Sequence, residues 1–261
     1  MFKKKKINKV ISFFCFLFLI FYFISDVYAA SGCGNFPGTY SFTNDDIESD
    51  PDDWTIDETG GTINVIESEE SHHMVVEFND TTTLYTIMEQ SITPTIAGTI
   101  EFWVRAKQTN HGFSIRLSDG GGSNNYLNIA LGDGGDFNYF DGLVKDLPIP
   151  TSYSADSWIH IRLDFNCTEG EYEIFIDGVF KGICGFYGTP IEMDHFRFSS
   201  QSLSTGVNYI DAIGYSWDPD YNIGDNLIEV CGSTIPGYSP LIICTILSII
   251  SIGFYLKKKI K

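Results

Sequence analysis

The feature that most constrains this chain is a two-residue alternation of apolar and polar side chains, repeated along most of residues 39–215. In residues 98–106, Ile100, Phe102, Val104 and Ala106 fall on one side and Glu101, Trp103 and Arg105 on the other. In residues 158–165, Ile159, Ile161, Leu163 and Phe165 alternate with His160, Arg162 and Asp164. Phe196 and Phe198 alternate with His195 and Arg197. Successive side chains of a strand point to opposite faces, so this period predicts strands. The same reading predicts strands at 39–42, 62–67, 73–78, 84–89, 113–117, 126–131, 171–177 and 208–215. Between the two chain ends, no segment of helical length keeps a clean helical period. A strand with one apolar face needs a second sheet to cover it, which makes an all-β, two-sheet antiparallel sandwich the economical fold. Asp177-Gly178 predicts a tight hairpin before the run from Val179, because both turn positions need positive φ.

Four segments carry a more specific signal. Gly98-Thr99-Ile100-Glu101-Phe102-Trp103-Val104, the strand opening Asp156-Ser157-Trp158-Ile159, the hairpin Tyr172-Glu173-Ile174-Phe175-Ile176-Asp177-Gly178 and the segment Tyr209-Ile210-Asp211-Ala212-Ile213 follow one another in that order. Together they resemble laminin-G-like, concanavalin-A-like jelly-roll domains. The resemblance implies a jelly-roll sandwich. It also implies a choice among glycan-binding lectins, adhesion modules and glycosidases, since one fold hosts many functions.

Both ends are apolar runs with lysines on their outer sides. Lys3 to Lys6 precede the run at 10–24, and Val27-Tyr28-Ala29 offers a small-residue exit, which reads as a secretory signal over residues 1–29. Residues 30–232 then form the ectodomain, 233–240 a short linker, 241–256 a transmembrane helix and 257–261 a basic tail. The terminal lysines place that tail in the cytoplasm and the domain outside. Ile235-Pro236-Gly237-Tyr238 followed by the apolar run resembles archaeal PGF-type sorting signals, with Tyr238 where that family has Phe.

Residues 30–237 hold 7 of the 16 Lys+Arg but 33 of the 34 Asp+Glu, a net charge near −26. Such a surface is a poor partner for nucleic acid or anionic lipid. Cations, neutral sugars and basic proteins suit it better. Cys15 and Cys244 sit inside the terminal apolar runs, leaving Cys33, Cys167, Cys184 and Cys231. An even number in an exported domain predicts two disulfides, with Cys33–Cys231 and Cys167–Cys184 preferred among three pairings. Asn79 and Asn166 begin glycosylation sequons.

Candidate sites are several. A retaining glycosidase needs two carboxylates flanking the bond. Glu192-Met193-Asp194 matches the first part of the pattern in related endoglucanases, but Phe196 or Arg197 stands where the second Glu belongs. Asp218, Asp220, Asn222 and Asp225 alternate as oxygen donors do in calcium loops, and Asp119, Asp133 and Asp136 flank Gly-rich loops, so Ca2+ is the cofactor expectation. His72 and His73 are adjacent, so on a strand they face opposite ways and cannot share a zinc. Tyr126, Tyr139 and Phe140 beside those loops, and Trp103 on the polar phase of its strand, are candidate sugar platforms. The spacing shows no Ser-His-Asp set, phosphate loop, dinucleotide fingerprint or CxxC. These observations point to a membrane-anchored, non-catalytic recognition module with glycan as its partner. A protein-binding adhesion or envelope role stands second, and glycoside hydrolysis third.

Overall fold

Two seven-stranded antiparallel sheets make up the computed structural model, which describes residues 33–120, 124–200 and 205–231. The first sheet contains β1 (Thr55–Asp57), β4 (Ile87–Thr95), β13 (Met193–Ser200), β6 (Phe113–Asp119), β7 (Asn124–Leu131), β8 (Phe137–Phe140) and β9 (Val144–Asp146), in that spatial order. The second runs β12 (Val179–Gly185), β11 (Glu171–Ile176), β10 (Ser157–Asn166), β5 (Ala97–Ala106), β14 (Gly206–Tyr215), β3 (His72–Asp80) and β2 (Gly61–Glu69). This is the two-sheet antiparallel sandwich that the alternation predicts, in keeping with a concanavalin-A-like jelly roll. The signal segment, linker, membrane helix, basic tail and sorting-signal resemblance lie outside the described residues. Among the described residues, no helix is long and apolar enough to cross a membrane.

The apolar phases meet between the sheets. Ile100, Phe102, Val104 and Ala106 of β5 are all fully buried, as are Ile161 and Leu163 of β10. Phe102 meets Phe198 across the sandwich with ring centroids 5.1 Å apart, and Phe78 meets Phe113 at 5.0 Å. Edge-to-face pairs of this kind add about 0.5–1.5 kcal/mol each beyond the area they bury. The β11–β12 hairpin turns on Asp177 at φ 50° and Gly178 at φ 72°, as the dipeptide predicts.

The strand expected at 84–89 begins later, at Ile87. Asp80 and Thr82 side chains accept the backbone N–H groups of Thr82 and Leu84, holding a corner that leaves Leu84 and Tyr85 exposed. Residues 39–42 form only a bridge, Tyr40 to Ile213. The short edge strands β1 and β9 carry too few residues to show a period.

Cys33 and Cys231 are disulfide-bonded, as expected. The second expected pair is corrected: Cys167 and Cys184 are free, buried thiols. The sheet explains this. Cys184 lies opposite Tyr172, and Tyr172 lies opposite Phe165, so Cys184 is two strands away from the end of β10 that leads into Cys167. Two strand spacings come to about 10 Å, beyond the Cα separation of about 7 Å that a disulfide tolerates. Burial pushes the Cys167 thiol up to about 11 and the Cys184 thiol up to about 12, which keeps both unreactive.

The second sheet's outer face is roofed by the segments that lead into and out of the domain. Gly34 O accepts from His73 N at 2.8 Å, Val230 N donates to Asn35 O at 2.8 Å, and Phe36 stacks on His72 at 4.3 Å. From the other end, Asn226 donates through Nδ2 to Ala212 O at 2.9 Å, sits 3.0 Å from His160 Nε2 through its Oδ1, and accepts Trp103 Nε1–H at its carbonyl at 2.7 Å. Tyr221 donates its hydroxyl to Glu101 at 2.5 Å and lies against Gly214, where any Cβ would stand 2.2 Å from the ring. Beneath this roof Glu101, Arg105, His160 and Asp211 are each at most 2% exposed. A bulge in β14 at Asp211–Gly214, with Ala212 at φ 48°, turns the Asp211 carboxylate toward His72, 2.7 Å away. Burial lowers the His72 pKa to about 3 and raises that of Asp211 well above the carboxylate range. Burial thus disfavours the charged form of both members.

Candidate functional site

Among the described residues, no such roof covers the first sheet's outer face. Its outward positions form polar rows across the strands, fixed by register. Ser91 of β4, His195 of β13 and Ser118 of β6 make one row. Glu89, Arg197, Arg116 and Asn128 make the next, through β4, β13, β6 and β7. Ser199, Ser114, Ala130, Asn138 and Asp146 make the third. The same alternation that sends Phe196, Phe198, Ile115, Leu117 and Ile129 into the core sends these side chains outward. Most are half-buried by their own neighbours rather than by a covering segment.

Hydrogen bonds fix the geometry. Arg197 Nε donates to Glu89 Oε2 at 2.7 Å. Ser114 and Ser199 hydroxyls are 2.9 Å apart, and Asn138 Nδ2 donates to Asp146 at 3.1 Å. His195 Nε2 lies 3.1 Å from Ser91 Oγ, while its Nδ1 lies 2.8 Å from Asp194 Oδ1. Asp194 also accepts Gly120 N–H at 3.1 Å. This Ser91–His195–Asp194 chain corrects the sequence expectation that no such set exists. Ser91 and His195 are 104 positions apart and meet only through strand pairing. Asp194 reaches its neighbour because the β4–β13 register slips between Met193 and His195, opposite Pro94, which cannot donate to the ladder.

One end of this face is aromatic. Phe140 of β8 lines a depression of about 280 Å³ together with Asn128, Asn138 and Val144, whereas Tyr139, opposite Ile129, turns to the other side of the strand and packs against the core. Phe140 meets Tyr187 with ring centroids 5.2 Å apart. Tyr126 sits one strand inward, with the turn at Gly188 close against its ring. Lys145 lies over the Tyr139 ring at 5.8 Å. Apolar rings beside hydroxyl- and amide-bearing rows are the chemistry a sugar needs, a CH-rich face to stack on and polar groups for its hydroxyls.

The structure pairs Phe140 with Tyr187, packs Tyr126 and Tyr139 partly against the core, and sets Trp103 apart. Trp103 belongs to the second sheet, half-buried under the roof, bonded to Asn226 and packed edge-on to His72 and His160. Tyr187, Asn128 and the paired arginines went unnoticed in the sequence because no local spacing links them. Only the register does.

The acidic candidates are spent locally. Asp218 accepts Asp220 N–H at 3.0 Å, and Asp225 accepts Asn222 N–H at 3.0 Å and Asn222 Nδ2–H at 3.1 Å. Asp133 edges the depression, Asp136 holds the β7–β8 turn through its backbone, and Asp119 neighbours Tyr126. Among the described residues, the one group of three metal-capable side chains is Cys33, Glu229 and Cys231, and disulfide bonding leaves its sulfurs no thiolate to offer. Asn166 of the second sequon accepts from Thr168 and Glu169 N–H, capping the β10–β11 turn. Asn79 lies within β3, paired to Thr62 and Val207.

No family model matches the chain, and no curated protein matches it. Solved structures do. The chain is similar to a sialidase at 15% identity and TM-score 0.55, over 63% of this chain and 17% of that one. It is also similar to the carbohydrate-binding module CBM66 from Bacillus subtilis, at 12% identity and TM-score 0.45, over 62% of this chain and 94% of that one. A third is the Bacillus licheniformis beta-glucanase, at 14% identity and TM-score 0.46, over 67% and 95%. The sialidase match supports the β-sandwich fold alone, and the chain spans only 17% of that protein's length.

Proposed function

We propose that this chain is a cell-surface, non-catalytic recognition module that binds glycan on the outer face of its first sheet. One observation carries the reading. Of two outer faces with polar rows, only this one is left open among the described residues, and it is flanked by the Phe140 and Tyr187 rings. A signal over residues 1–29 and an anchor over 241–256 would deliver and hold it outside the cell, where a disulfide such as that of Cys33 and Cys231 persists. Binding of the full-length chain to a panel of immobilised glycans tests the reading. Phe140→Ala and Asn128→Ala each weaken binding about tenfold or more, in line with loss of a stacking ring or a buried hydrogen bond. Binding that survives both substitutions unchanged places the ligand elsewhere.

A second reading has its own observation, the Ser91–His195–Asp194 chain. A serine hydroxyl against an imidazole that is itself held by a carboxylate is an arrangement for nucleophilic attack on esters. The full-length chain incubated with a chromogenic acetate ester decides it. Turnover abolished by Ser91→Ala establishes hydrolysis, and a rate equal to the Ser91→Ala control removes it.

A further inference from the structure

The open face carries one group that folding does not account for. Arg116 of β6 stands directly opposite Arg197 of β13 and directly opposite Asn128 of β7. Its same-strand neighbours on that face are Ser114 and Ser118. Arg197 is neutralised by Glu89, and Arg105, Lys107, Lys145 and Arg162 each pair with a carboxylate. Arg116 has neither an ion pair nor a side-chain hydrogen bond among the described residues, and its Nε is buried without an acceptor. Like charges directly opposite in a sheet destabilise it, and a buried donor without an acceptor costs more. This happens in a domain with 33 carboxylates to 7 cations. The guanidinium is thus held where the fold pays twice for it, on the one face open to a ligand.

We infer that Arg116 anchors a carboxylate on the glycan, so that the ligand is an acidic saccharide of the uronate type. This rests on the glycan reading above and specifies it. A guanidinium offers parallel donors in a plane that matches the two oxygens of a carboxylate. A neutral sugar would satisfy donors but leave the Arg116–Arg197 repulsion in place. An anion seated there relieves it. The surrounding Ser114, Ser118 and Asn128 side chains are uncharged, and Arg197 is already paired with Glu89, so Arg116 is the cation of this row left for an anion. The acidic domain as a whole opposes approach only weakly, because salt screens charges beyond about 8 Å at physiological strength. Burial, and then Arg197, depress the Arg116 pKa from its ordinary value, as an uncompensated cation requires.

Calorimetry on the full-length chain tests this with three probes: galacturonate oligosaccharides, the same oligosaccharides with their carboxyls reduced to alcohols, and a sulfated oligosaccharide of equal length. The uronate form binds about tenfold or more tighter than the reduced form, as expected for a charge-assisted bidentate contact. Arg116→Gln abolishes that difference, bringing affinity for the acid form down to that for the reduced form. Arg116→Lys, with charge but no fork, recovers only part of it. The substitution removes a repulsion, so a thermal midpoint for Arg116→Gln at or above that of the parent certifies its fold. Equal affinity for acid and reduced forms, unchanged in Arg116→Gln, overturns the inference and leaves the glycan reading standing. Tightest binding to the sulfated probe overturns the carboxylate. Failure of every saccharide to bind overturns both readings.

Discussion

The two outer faces of the sandwich start from the same alternation and end in opposite states. On the second sheet, Glu101, His160 and the Asp211–His72 pair lie under the chain's own entry and exit segments, and Arg105 is held by Glu69, Glu70 and Asp156. Each has found partners in the roof or on a neighbouring strand. On the first sheet, Ser91, Arg116, Asn128, His195 and Arg197 face outward, and among the described residues no segment is laid over them. A polar side chain on the outward phase of a strand therefore has two fates. Where the chain can roof it, it joins a buried network of hydrogen bonds and ion pairs, in which Arg105 Nε and His160 Nδ1 remain without a partner. Where the chain leaves it open, unsatisfied capacity remains for a ligand.

This contrast breaks most readily at Asn226. Its side chain and carbonyl hold Ala212, His160 and Trp103 at once. Asn226→Ala leaves the buried Ala212 carbonyl and His160 ring unpartnered, each a penalty of about 1–3 kcal/mol. A loss of about 3 kcal/mol is expected in urea unfolding. The matching truncation on the open face, Asn128→Ala, changes stability by no more than about 0.5 kcal/mol. Equal losses from the two would mean that the open face is structural too.

Acid sharpens the same contrast. Burial lowers the His160 pKa below its ordinary 6.5, against the opposing pull of Glu101, so the folded ring stays neutral while the unfolded one protonates. Unfolding then takes up a proton as pH drops below about 6.5, and stability falls in that direction by up to about 1.4 kcal/mol per pH unit for this group. His111, likewise depressed by burial and opposed by Asp80, adds a term of the same sign. Unfolding midpoints at pH 7 and pH 5.5 measure the slope, and His160→Gln reduces it. An unaltered slope in that variant would show that His160 is protonated in the fold.

A smaller effect, of opposite sign, belongs to the open face. Arg116→Gln removes a like-charge pair and is expected to stabilise the domain by about 0.5 kcal/mol. Destabilisation on urea unfolding would reveal a structural partner for the guanidinium. A face where removing a charged residue stabilises, opposite one where removing a polar residue destabilises, is the thermodynamic form of the distinction between site and scaffold.

Much of this was legible in the sequence, and the limits are physical. Period-two alternation assigned Phe102, Val104, Phe196 and Phe198 to the core, because a strand's geometry is local. It also put Trp103 and Arg197 alike on the polar phase. What separates them is the roof over one sheet, which depends on where residues 216–230 return to the body. Ser91, Arg116, His195 and Arg197 meet through register, and register is settled by pairings between strands that are distant in the chain. The Cys167–Cys184 pairing failed for the same reason: a short sequence separation hides an intervening strand. The Asp177-Gly178 turn was right because both of its φ values are a property of two adjacent residues.

The smallest effect expected is that of calcium, which a series of alternating oxygens in residues 218–225 invites. A calcium loop keeps its carboxylates pointed at a common centre, at about 2.3–2.6 Å from the ion, with backbone N–H groups directed elsewhere. Here Asp218 and Asp225 instead accept N–H groups of their own loop, from Asp220 and from Asn222, in the way that closes a turn. Recruiting them to an ion would cost those bonds, and Gly224 N–H is already committed to Glu101 under the roof at 2.5 Å. A ligand that binds only the folded form raises stability by RT ln(1 + [L]/Kd), about 2.7 kcal/mol at a hundredfold excess. Millimolar calcium followed by chelator is therefore expected to leave the melting midpoint of the full-length chain where it was. A rise that chelator reverses and Asp225→Ala abolishes would mean that the turn opens to hold an ion, and that the roof is a regulated element rather than a fixed one.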